Sequence, residues 1–236
     1  MTNTLVHTAA QCFVTMAQKF FNELFDFNTS LFAATSTAGN EECVASIFLS
    51  EESALNIKAG DTLLFDMDGT LIDTDACNTK AYKMAIASVL GENLAQLLDV
   101  ARIERKVLRD RLTWISEEQF ARIVALKEQF YACFIDEISV IPSTLAILNR
   151  LAETHQVVLV TNACRSRTIQ TLRHLGLENK FDDIITKDDC HGINKFETAL
   201  TQFNLNPNSV WVFENEEVQA RCAVAVGIDV KHIILI

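Results

Sequence analysis

Asp66 and Asp68 stand two residues apart, directly after the apolar run Thr62–Phe65 and directly before Gly69. A short apolar run that ends abruptly in polar residues and a glycine is typical of a buried strand followed by a turn. Two carboxylates so close together repel each other, and such a pair is tolerable where it binds a cation or shares a proton. The pair is therefore a candidate for a nucleophile and a proton carrier beside a metal ion.

Polar residues also follow the later apolar runs of the chain. Thr161 and Asn162 come at the end of one run, Lys195 begins a helical pattern, and Glu214 and Asn215 end another run. A hydroxyl and free backbone N–H groups suit phosphate oxygens, a lysine neutralises phosphate, and an acid–amide pair offers oxygens to a metal. Together with the two aspartates, these residues supply what phosphoryl transfer requires.

The elements that must position these residues form a regular alternation. After Pro142, which suits the first turn of a helix through Leu151, apolar runs alternate with amphipathic helical patterns. The predicted strands are 156–161, 183–186, 210–213 and 232–236, and the predicted helices are 165–175, 195–204 and 216–226. Such alternation predicts an α/β fold with a doubly wound parallel sheet, whose site lies at the carboxyl ends of the strands.

Pattern changes divide the chain into three parts. Residues 1–58 are predicted to be an N-terminal helical extension, 59–74 and 140–236 the α/β core, and 75–139 an almost wholly helical insert. A helix is predicted from the capping-box pair Ser116 and Gln119 towards Tyr131. The extension has an apolar stripe that must be buried against the main domain or against a second subunit in a homodimer. The stripe consists of Phe13, Met16, Ala17, Phe20, Phe21, Leu24 and Phe27.

The composition limits the partners. The net charge of −11 over 236 residues disfavours nucleic acid and anionic membrane surfaces. The most apolar stretch, residues 12–32, is interrupted by charged side chains, so we expect no membrane span and a cytoplasmic protein. The seven cysteines show no CxxC spacing, which favours reduced, buried thiols over a zinc site or a redox motif.

The motifs together resemble the haloacid dehalogenase superfamily over about residues 62–227. Asp66-Met67-Asp68-Gly69-Thr70-Leu71 resembles the first motif of that family, DxDGT[LV], and Val160-Thr161-Asn162 is similar to the second. Lys195 stands in the place of the third-motif lysine, and Glu214-Asn215 in the place of the fourth-motif acids. The segment 75–139 lies where the mobile cap of the family lies.

The resemblance implies a role for each matching residue. Asp66 would attack phosphorus and become an aspartyl phosphate, and Asp68 would protonate the leaving alcohol and then activate water. Thr161, Asn162 and Lys195 would bind the phosphate. A magnesium ion would be held by Asp66, Asp68 through its backbone carbonyl, Glu214 and Asn215.

Two residues depart from the family pattern. The lysine is usually followed by proline, but Phe196 follows Lys195, and the usual acid pair is replaced by Glu214-Asn215. Asparagine offers an oxygen without a charge, so magnesium should bind more weakly unless Asp188, Asp189 or Glu216 compensates. The expected function is a magnesium-dependent phosphohydrolase that acts on a small phosphorylated metabolite.

Two other functions fit the same residues. A sugar-phosphate mutase would use both aspartates and would require a bisphosphate activator. A regulatory or interaction protein on a hydrolase scaffold would explain Asn215 and the N-terminal stripe, but it would have no need of Asp66, Asp68 or Lys195. Asp68 argues against a dehalogenase or phosphonatase, because those relatives lack an acid at that place.

Overall fold

The computed structural model describes residues 57–91 and 102–236. The predicted N-terminal helices and their apolar stripe lie outside the described residues. Within the described residues the chain forms an α/β fold, in which a five-stranded, fully parallel sheet has the order β5-β4-β1-β6-β7. Its strands are β1 (Thr62–Phe65), β4 (Gln156–Val160), β5 (Asp183–Ile185), β6 (Val210–Glu214) and β7 (Ile233–Leu235).

The chain leaves and re-enters the core through a short two-stranded ribbon. Strand β2 (Ile72–Asp73) pairs with β3 (Ser139–Val140) in antiparallel fashion. Between them lie α1 (Asp75–Leu90), α2 (Arg105–Arg111), α3 (Glu117–Tyr131) and a 3-10 helix (Ala132–Glu137). Helices α1 and α3 pack against each other. These helices coincide with the predicted insert, whose status as a separate domain stays a prediction.

The remaining helices connect the strands of the sheet. They are α4 (Pro142–Leu151), α5 (Arg165–His174), α6 (Lys187–Cys190), α7 (Lys195–Gln202) and α8 (Glu217–Ala225), with 3-10 turns at Pro207–Ser209 and Val230–His232. Pro142 occupies the first turn of α4, where its missing N–H is no loss. The capping box of Ser116 and Gln119 is formed at the start of α3.

Strand β1 places its side chains on both faces of the sheet. Leu63 and Phe65 belong to the apolar cluster that continues into the insert, whereas Leu64 belongs to the cluster on the opposite face. The rings of Phe65 and Phe213 stack with centroids 4.2 Å apart, which locks β1 against β6. Because β1 is buried on both faces, it reads in the sequence as a continuous apolar run.

Several predicted boundaries were wrong by one or two residues. Strands β4 and β5 end at Val160 and Ile185, one residue earlier than predicted, while β6 extends to Glu214. Residues 102–139 are less helical than predicted, because Arg102 lies outside α2 and a turn separates α2 from α3. Helix α6 was not predicted, since it is a single turn formed around the capping box of Thr186 and Asp189.

Candidate active site

Asp66 is the first residue after the central strand β1, and it is 6% exposed. Its backbone N–H donates to the carbonyl of Phe213 at 3.0 Å. Since Phe65 pairs with Phe213, Asp66 and Glu214 stand at the same level on neighbouring strands. The two carboxylates therefore lie at the carboxyl ends of β1 and β6, where the strand order reverses direction. Such a switch point is the usual place of a site in a doubly wound sheet.

Lys195 joins these two carboxylates. Its Nζ donates to Asp66 Oδ1 at 2.6 Å and to Glu214 Oε2 at 2.8 Å. Lys195 is 2% exposed and Glu214 is 1% exposed, so the three charges are withdrawn from solvent together. The predicted third-motif lysine is thus brought together with the predicted nucleophile and the fourth-motif acid.

The backbone around Lys195 explains why phenylalanine follows it. Lys195 is the first residue of α7, and Asn194 caps this helix by accepting a hydrogen bond from Phe196 N–H at 2.7 Å. Proline at position 196 could not donate this bond. The Phe196 ring is fully buried in the apolar cluster that contains Leu64 and Val158, so the departure from the family pattern is accommodated by packing.

Burial and the attraction between Lys195 and the two carboxylates act in opposite directions on the pKa of each of these groups. Burial raises the pKa of Asp66, and the nearby Lys195 offsets this only in part. The pKa of Glu214 is also raised, by burial and then by the charge of Asp66, against Lys195. Burial lowers the pKa of Lys195, but the two carboxylates outweigh it and hold the pKa above its ordinary value. Two buried acids thus share one cation.

The other side of Glu214 is held by the following loop. Its Oε1 accepts hydrogen bonds from the backbone N–H groups of Asn215 and Glu216, both at 3.1 Å. The side-chain Oδ1 of Asn215 accepts a hydrogen bond from the Thr70 hydroxyl at 3.2 Å. The Asn215 amide nitrogen occupies the space in which a Cβ on Gly69 would lie, and Gly69 has φ +82°. The loops after β1 and β6 therefore interlock.

Asp68 is bound by residues other than those of the lysine cluster. Arg167 Nη1 donates to Asp68 Oδ1 at 3.0 Å and Nη2 to Oδ2 at 2.9 Å. The Thr74 hydroxyl donates to Oδ1 at 2.7 Å. Burial raises the pKa of Asp68, but the charge and hydrogen bonds of Arg167 and the Thr74 bond outweigh it, so the pKa lies below its ordinary value. Asp68 is therefore an ionised carboxylate in this arrangement.

Thr161 and Asn162 follow β4, the neighbour of β1 on its other side. The Thr161 hydroxyl oxygen accepts a hydrogen bond from Ala163 N–H at 3.1 Å, which leaves its own hydrogen free to donate. Thr161 is buried and Asn162 is exposed. Phe65 pairs with Leu159, so Thr161 is two positions beyond the level of Phe65 at the same edge of the sheet.

Three charged residues near Asp68 were missed by sequence reasoning: Arg167 on α5, and Lys127 and Glu128 on α3. Arg167 Nε lies 3.5 Å from Glu128 Oε2, and Lys127 Nζ lies 3.4 Å from Glu128 Oε1. Burial, and then the charge of Arg167, lowers the pKa of Lys127 to about 8. Arg167 shares the buried face of α5 with Thr168 and Thr171, a face that the sequence does not reveal because none of the three residues is apolar. A charged residue on the inward face of a helix indicates a partner.

The residues that could hold a divalent cation are hard oxygen donors. Among residues 57–91 and 102–236, no group of three His, Cys, Asp or Glu side chains converges on one point. The predicted cation site would combine the carboxylates of Asp66 and Glu214 with the amide oxygen of Asn215 and the backbone carbonyl of Asp68. This set suits magnesium in kind, and the excess negative charge of Asp66 and Glu214 over Lys195 favours a cation. The residues present fit a metal ion, but the pair Glu214-Asn215 supplies one negative charge fewer than a pair of acids would.

The three acids named as sources of the missing charge have other partners. Asp188 accepts a hydrogen bond from Arg165 N–H at 2.8 Å, and Asp189 binds Thr186 and the Arg165 guanidinium. Glu216 pairs with Arg102 at 3.2 Å. None of the three is directed to the Asp66 cluster by these contacts, so the structure gives no support to compensation.

The cationic residues of the insert form surface ion pairs. Lys106 pairs with Asp110 at 2.7 Å, and Arg109 binds both oxygens of Glu117. These pairs favour a solvated face over a surface that attracts substrate. The cysteines of the described segments, Cys77, Cys133, Cys164, Cys190 and Cys222, are free thiols. Over the same segments, no helix has the length and apolar character that crossing a membrane requires.

Comparison with known proteins agrees with this fold. A profile of the family described as haloacid dehalogenase-like hydrolase matches residues 63–233. A search of curated proteins found no match. Among solved structures, a Thermotoga maritima protein provisionally described as a β-phosphoglucomutase is 24% identical, with a TM-score of 0.53, over 73% of this chain and 83% of its own.

Two further structures show the same fold. A Lactobacillus plantarum protein provisionally described as a phosphoglycolate phosphatase is 20% identical with a TM-score of 0.60, over 73% of this chain and 85% of its own. CbbY from Rhodobacter sphaeroides, solved with phosphate, is 18% identical with a TM-score of 0.55, over 71% and 83%. At these identities the similarity establishes the fold alone.

Proposed function

Because this chain belongs to the haloacid dehalogenase-like hydrolase family, we propose that it is a magnesium-dependent phosphohydrolase that acts on a small phosphorylated metabolite. The observation that carries the proposal is the buried cluster in which Lys195 Nζ contacts both Asp66 and Glu214. A lysine so placed neutralises the charge that accumulates when a phosphate approaches a carboxylate. A regulatory scaffold would have no reason to maintain such a costly buried cluster.

The proposed reaction has two displacements at phosphorus. A carboxylate oxygen of Asp66 attacks phosphorus, and the bond to the leaving oxygen breaks. Asp68, which is ionised before substrate binds, takes the proton of a singly protonated phosphate ester on binding and passes it to the departing alcohol. A water molecule then gives its proton to Asp68 and attacks the aspartyl phosphate, which releases inorganic phosphate and restores Asp66. The Thr161 hydroxyl and Lys195 donate to the phosphate oxygens throughout.

Magnesium, when bound, would offset the negative charge shared by Asp66 and the phosphate. Asp66, Glu214 and Asn215 would hold it together with the backbone carbonyl of Asp68. A mechanism in which Lys195 alone neutralised the phosphate would need no divalent cation, whereas the proposed mechanism requires one. Turnover of a panel of phosphorylated metabolites, with magnesium and with a chelator, tests this requirement.

Replacing Asp66 is the decisive test of the chemistry. Asp66→Asn is expected to abolish turnover, because the amide is isosteric with the carboxylate but cannot form an acyl phosphate. The fold should survive, since Asn Oδ1 can still accept from Lys195. The matched control is Asp183→Asn, which removes an exposed aspartate of the same sheet and should leave turnover unchanged. Substantial turnover by Asp66→Asn would refute the mechanism.

A sugar-phosphate mutase is the second candidate, favoured by the similarity in fold to the Thermotoga maritima protein. A mutase returns the phosphate to a second hydroxyl of its substrate, whereas a phosphatase releases it to water. Dependence of activity on a sugar bisphosphate activator, with little release of inorganic phosphate, would favour the mutase.

A further inference from the structure

The carboxylate of Asp68 accepts three hydrogen bonds from two groups. Two hydrogen bonds come from the guanidinium group of Arg167, one to each oxygen, and a third comes from the Thr74 hydroxyl to Oδ1. A paired fork of this kind fixes both the position and the plane of a carboxylate, which a single lysine contact cannot do. Asp68 is therefore more tightly oriented than a carboxylate at the end of a strand would otherwise be.

The hydrogen bonds also decide which part of Asp68 can exchange a proton. A carboxylate has about four lone-pair positions, two on each oxygen. On Oδ1, Arg167 and Thr74 occupy both, and on Oδ2 Arg167 occupies one. One lone pair, on Oδ2, is left by these bonds. The side chain is 18% exposed, so that position is accessible in part.

Arg167 is itself fixed by the insert. It is 8% exposed, its guanidinium carbon lies 5.1 Å from the centre of the Tyr131 ring, and its Nε lies 3.5 Å from Glu128 Oε2. Nε forms no hydrogen bond to any residue within the described segments. Both Glu128 and Tyr131 belong to α3. Arg167 thus connects a helix of the insert to the carboxylate of Asp68.

We propose that Arg167 is a positioning residue for the reaction, which orients Asp68 so that only one lone pair of Oδ2 exchanges a proton with the leaving oxygen and with water. This inference rests on the proposed phosphohydrolase function. Arg167 itself does not touch the reacting atoms. Glu128, on α3, supports it through the ion pair with the guanidinium Nε at 3.5 Å, so the orientation of Asp68 depends on the insert being in place.

Leaving groups of different basicity separate this role from a structural one. An alkyl oxygen needs a proton as it departs, whereas p-nitrophenolate departs without one. The value of kcat/KM reports the steps up to release of the alcohol and is unaffected by the later attack of water. We therefore compare kcat/KM for glycerol 2-phosphate and p-nitrophenyl phosphate in the full-length protein with saturating magnesium.

Arg167→Met should lower the ratio of the two kcat/KM values, alkyl over aryl, at least about tenfold, since a positioned general acid contributes roughly 10²–10⁴ to rate. Arg167→Lys keeps the charge without the fork and should give an intermediate ratio. Glu128→Gln should shift the ratio in the same direction but less. Arg173→Met is the matched control, because it removes an exposed arginine from the same helix, and its ratio should equal that of the wild type.

Each other result overturns the proposal. If Arg167→Met lowers both kcat/KM values by the same factor, Arg167 is structural. A rise in the alkyl value would mean that Arg167 restrains Asp68 and does not position it. A wild-type ratio in Arg167→Lys would show that the charge suffices without the fork. If Arg167→Met does not fold, the ratios of Arg167→Lys and Glu128→Gln decide the question. If the wild type cleaves neither ester, the proposed function has failed and this inference with it.

Discussion

Asn215 removes one negative charge from this site, because the family pattern has an acid at its position. Its amide oxygen is bound by Thr70, and its amide nitrogen packs on Gly69, so the side chain is well placed but neutral. One fewer charge at contact distance weakens the attraction for magnesium, by an amount on the order of 1 kcal/mol or more. A site of this kind should require high magnesium for activity.

Asn215→Asp is expected to tighten magnesium binding roughly tenfold or more, because it restores a charged oxygen in the same position. Titration calorimetry with magnesium, and turnover at limiting magnesium, measure the change. Asn208→Asp adds the same charge at an exposed residue near the opposite end of β6 and serves as the control. Equal affinity in the Asn215→Asp and wild-type proteins would mean that Asn215 does not contact the metal.

Lys195 balances one of the two buried carboxylates, so the other should make stability depend on pH. The pKa values of Asp66 and Glu214 are raised above their ordinary values of 3.8 and 4.5. A raised pKa means that the folded state binds more protons than the unfolded state. This contribution to stability is complete below about pH 4 and is lost as the pH rises through the folded pKa values.

Comparison with Glu214→Gln isolates this contribution. The free energy of unfolding of the metal-free wild type, minus that of the variant, should fall as the pH is raised from 4 towards 7. Urea unfolding in the presence of a chelator measures the difference at each pH. A difference that stays flat across this range would show that Glu214 carries no raised pKa.

The sequence predicted the cluster of Asp66, Glu214 and Lys195, because the carboxyl ends of parallel strands share one edge of the sheet. It did not predict Arg167, since the strand–helix rule locates residues at strand ends and says nothing about the rotation of the following helix. Glu128 was beyond reach for another reason. It lies in the insert, where no motif fixes its position, and only the packing of α3 brings it to α5.

At the scale of elements, the interlock of the loops after β1 and β6 depends on Gly69. Gly69 has φ +82°, and a Cβ there would collide with the Asn215 amide. Gly60 has a similar φ of +93° but no atom near the position of a Cβ. The two glycines therefore separate the cost of the backbone conformation from the cost of the collision.

Gly60→Ala should lower the free energy of unfolding by about 1–2 kcal/mol, the cost of placing a side chain in the left-handed region. Gly69→Ala should lower it further and should also weaken magnesium binding, because Asn215 must move. Urea unfolding of both variants gives the comparison. If the two substitutions prove equally costly, the contact between Gly69 and Asn215 has no energetic weight.

The five strands of the parallel sheet were predictable because each is an apolar run bounded by polar residues, whereas the two-residue strands β2 and β3 are too short to show such a pattern. The strand ends were not predictable, since Thr161 is β-branched and apolar enough to continue β4, yet its hydroxyl binds Ala163 N–H and turns the chain. Helix α6 shows the same limit. Its single turn depends on Asp189 binding Thr186, a local bond that competes with any periodic pattern.

At the scale of the whole molecule, the N-terminal extension predicted over residues 1–58 remains to be tested. Its phenylalanine stripe is expected to be buried, against the rest of the chain or in a homodimer. Deletion of residues 1–58 should therefore lower the melting temperature or the oligomeric state, measured by thermal unfolding and by light scattering on a size-exclusion column. Unchanged values of both would show that the extension is dispensable.

The ribbon of β2 and β3 makes the helical insert a segment that another insert can replace without changing the core. Its two ends are paired, Ile72 with Val140 and Asp73 with Ser139, so the chain departs and returns at points only about 5 Å apart. An insert that begins and ends at this ribbon leaves the pairing of β1 with β4 and with β6 unchanged. Inserts of different length and sequence can therefore be grafted onto one chemical apparatus, provided that each supplies its own partner for Arg167.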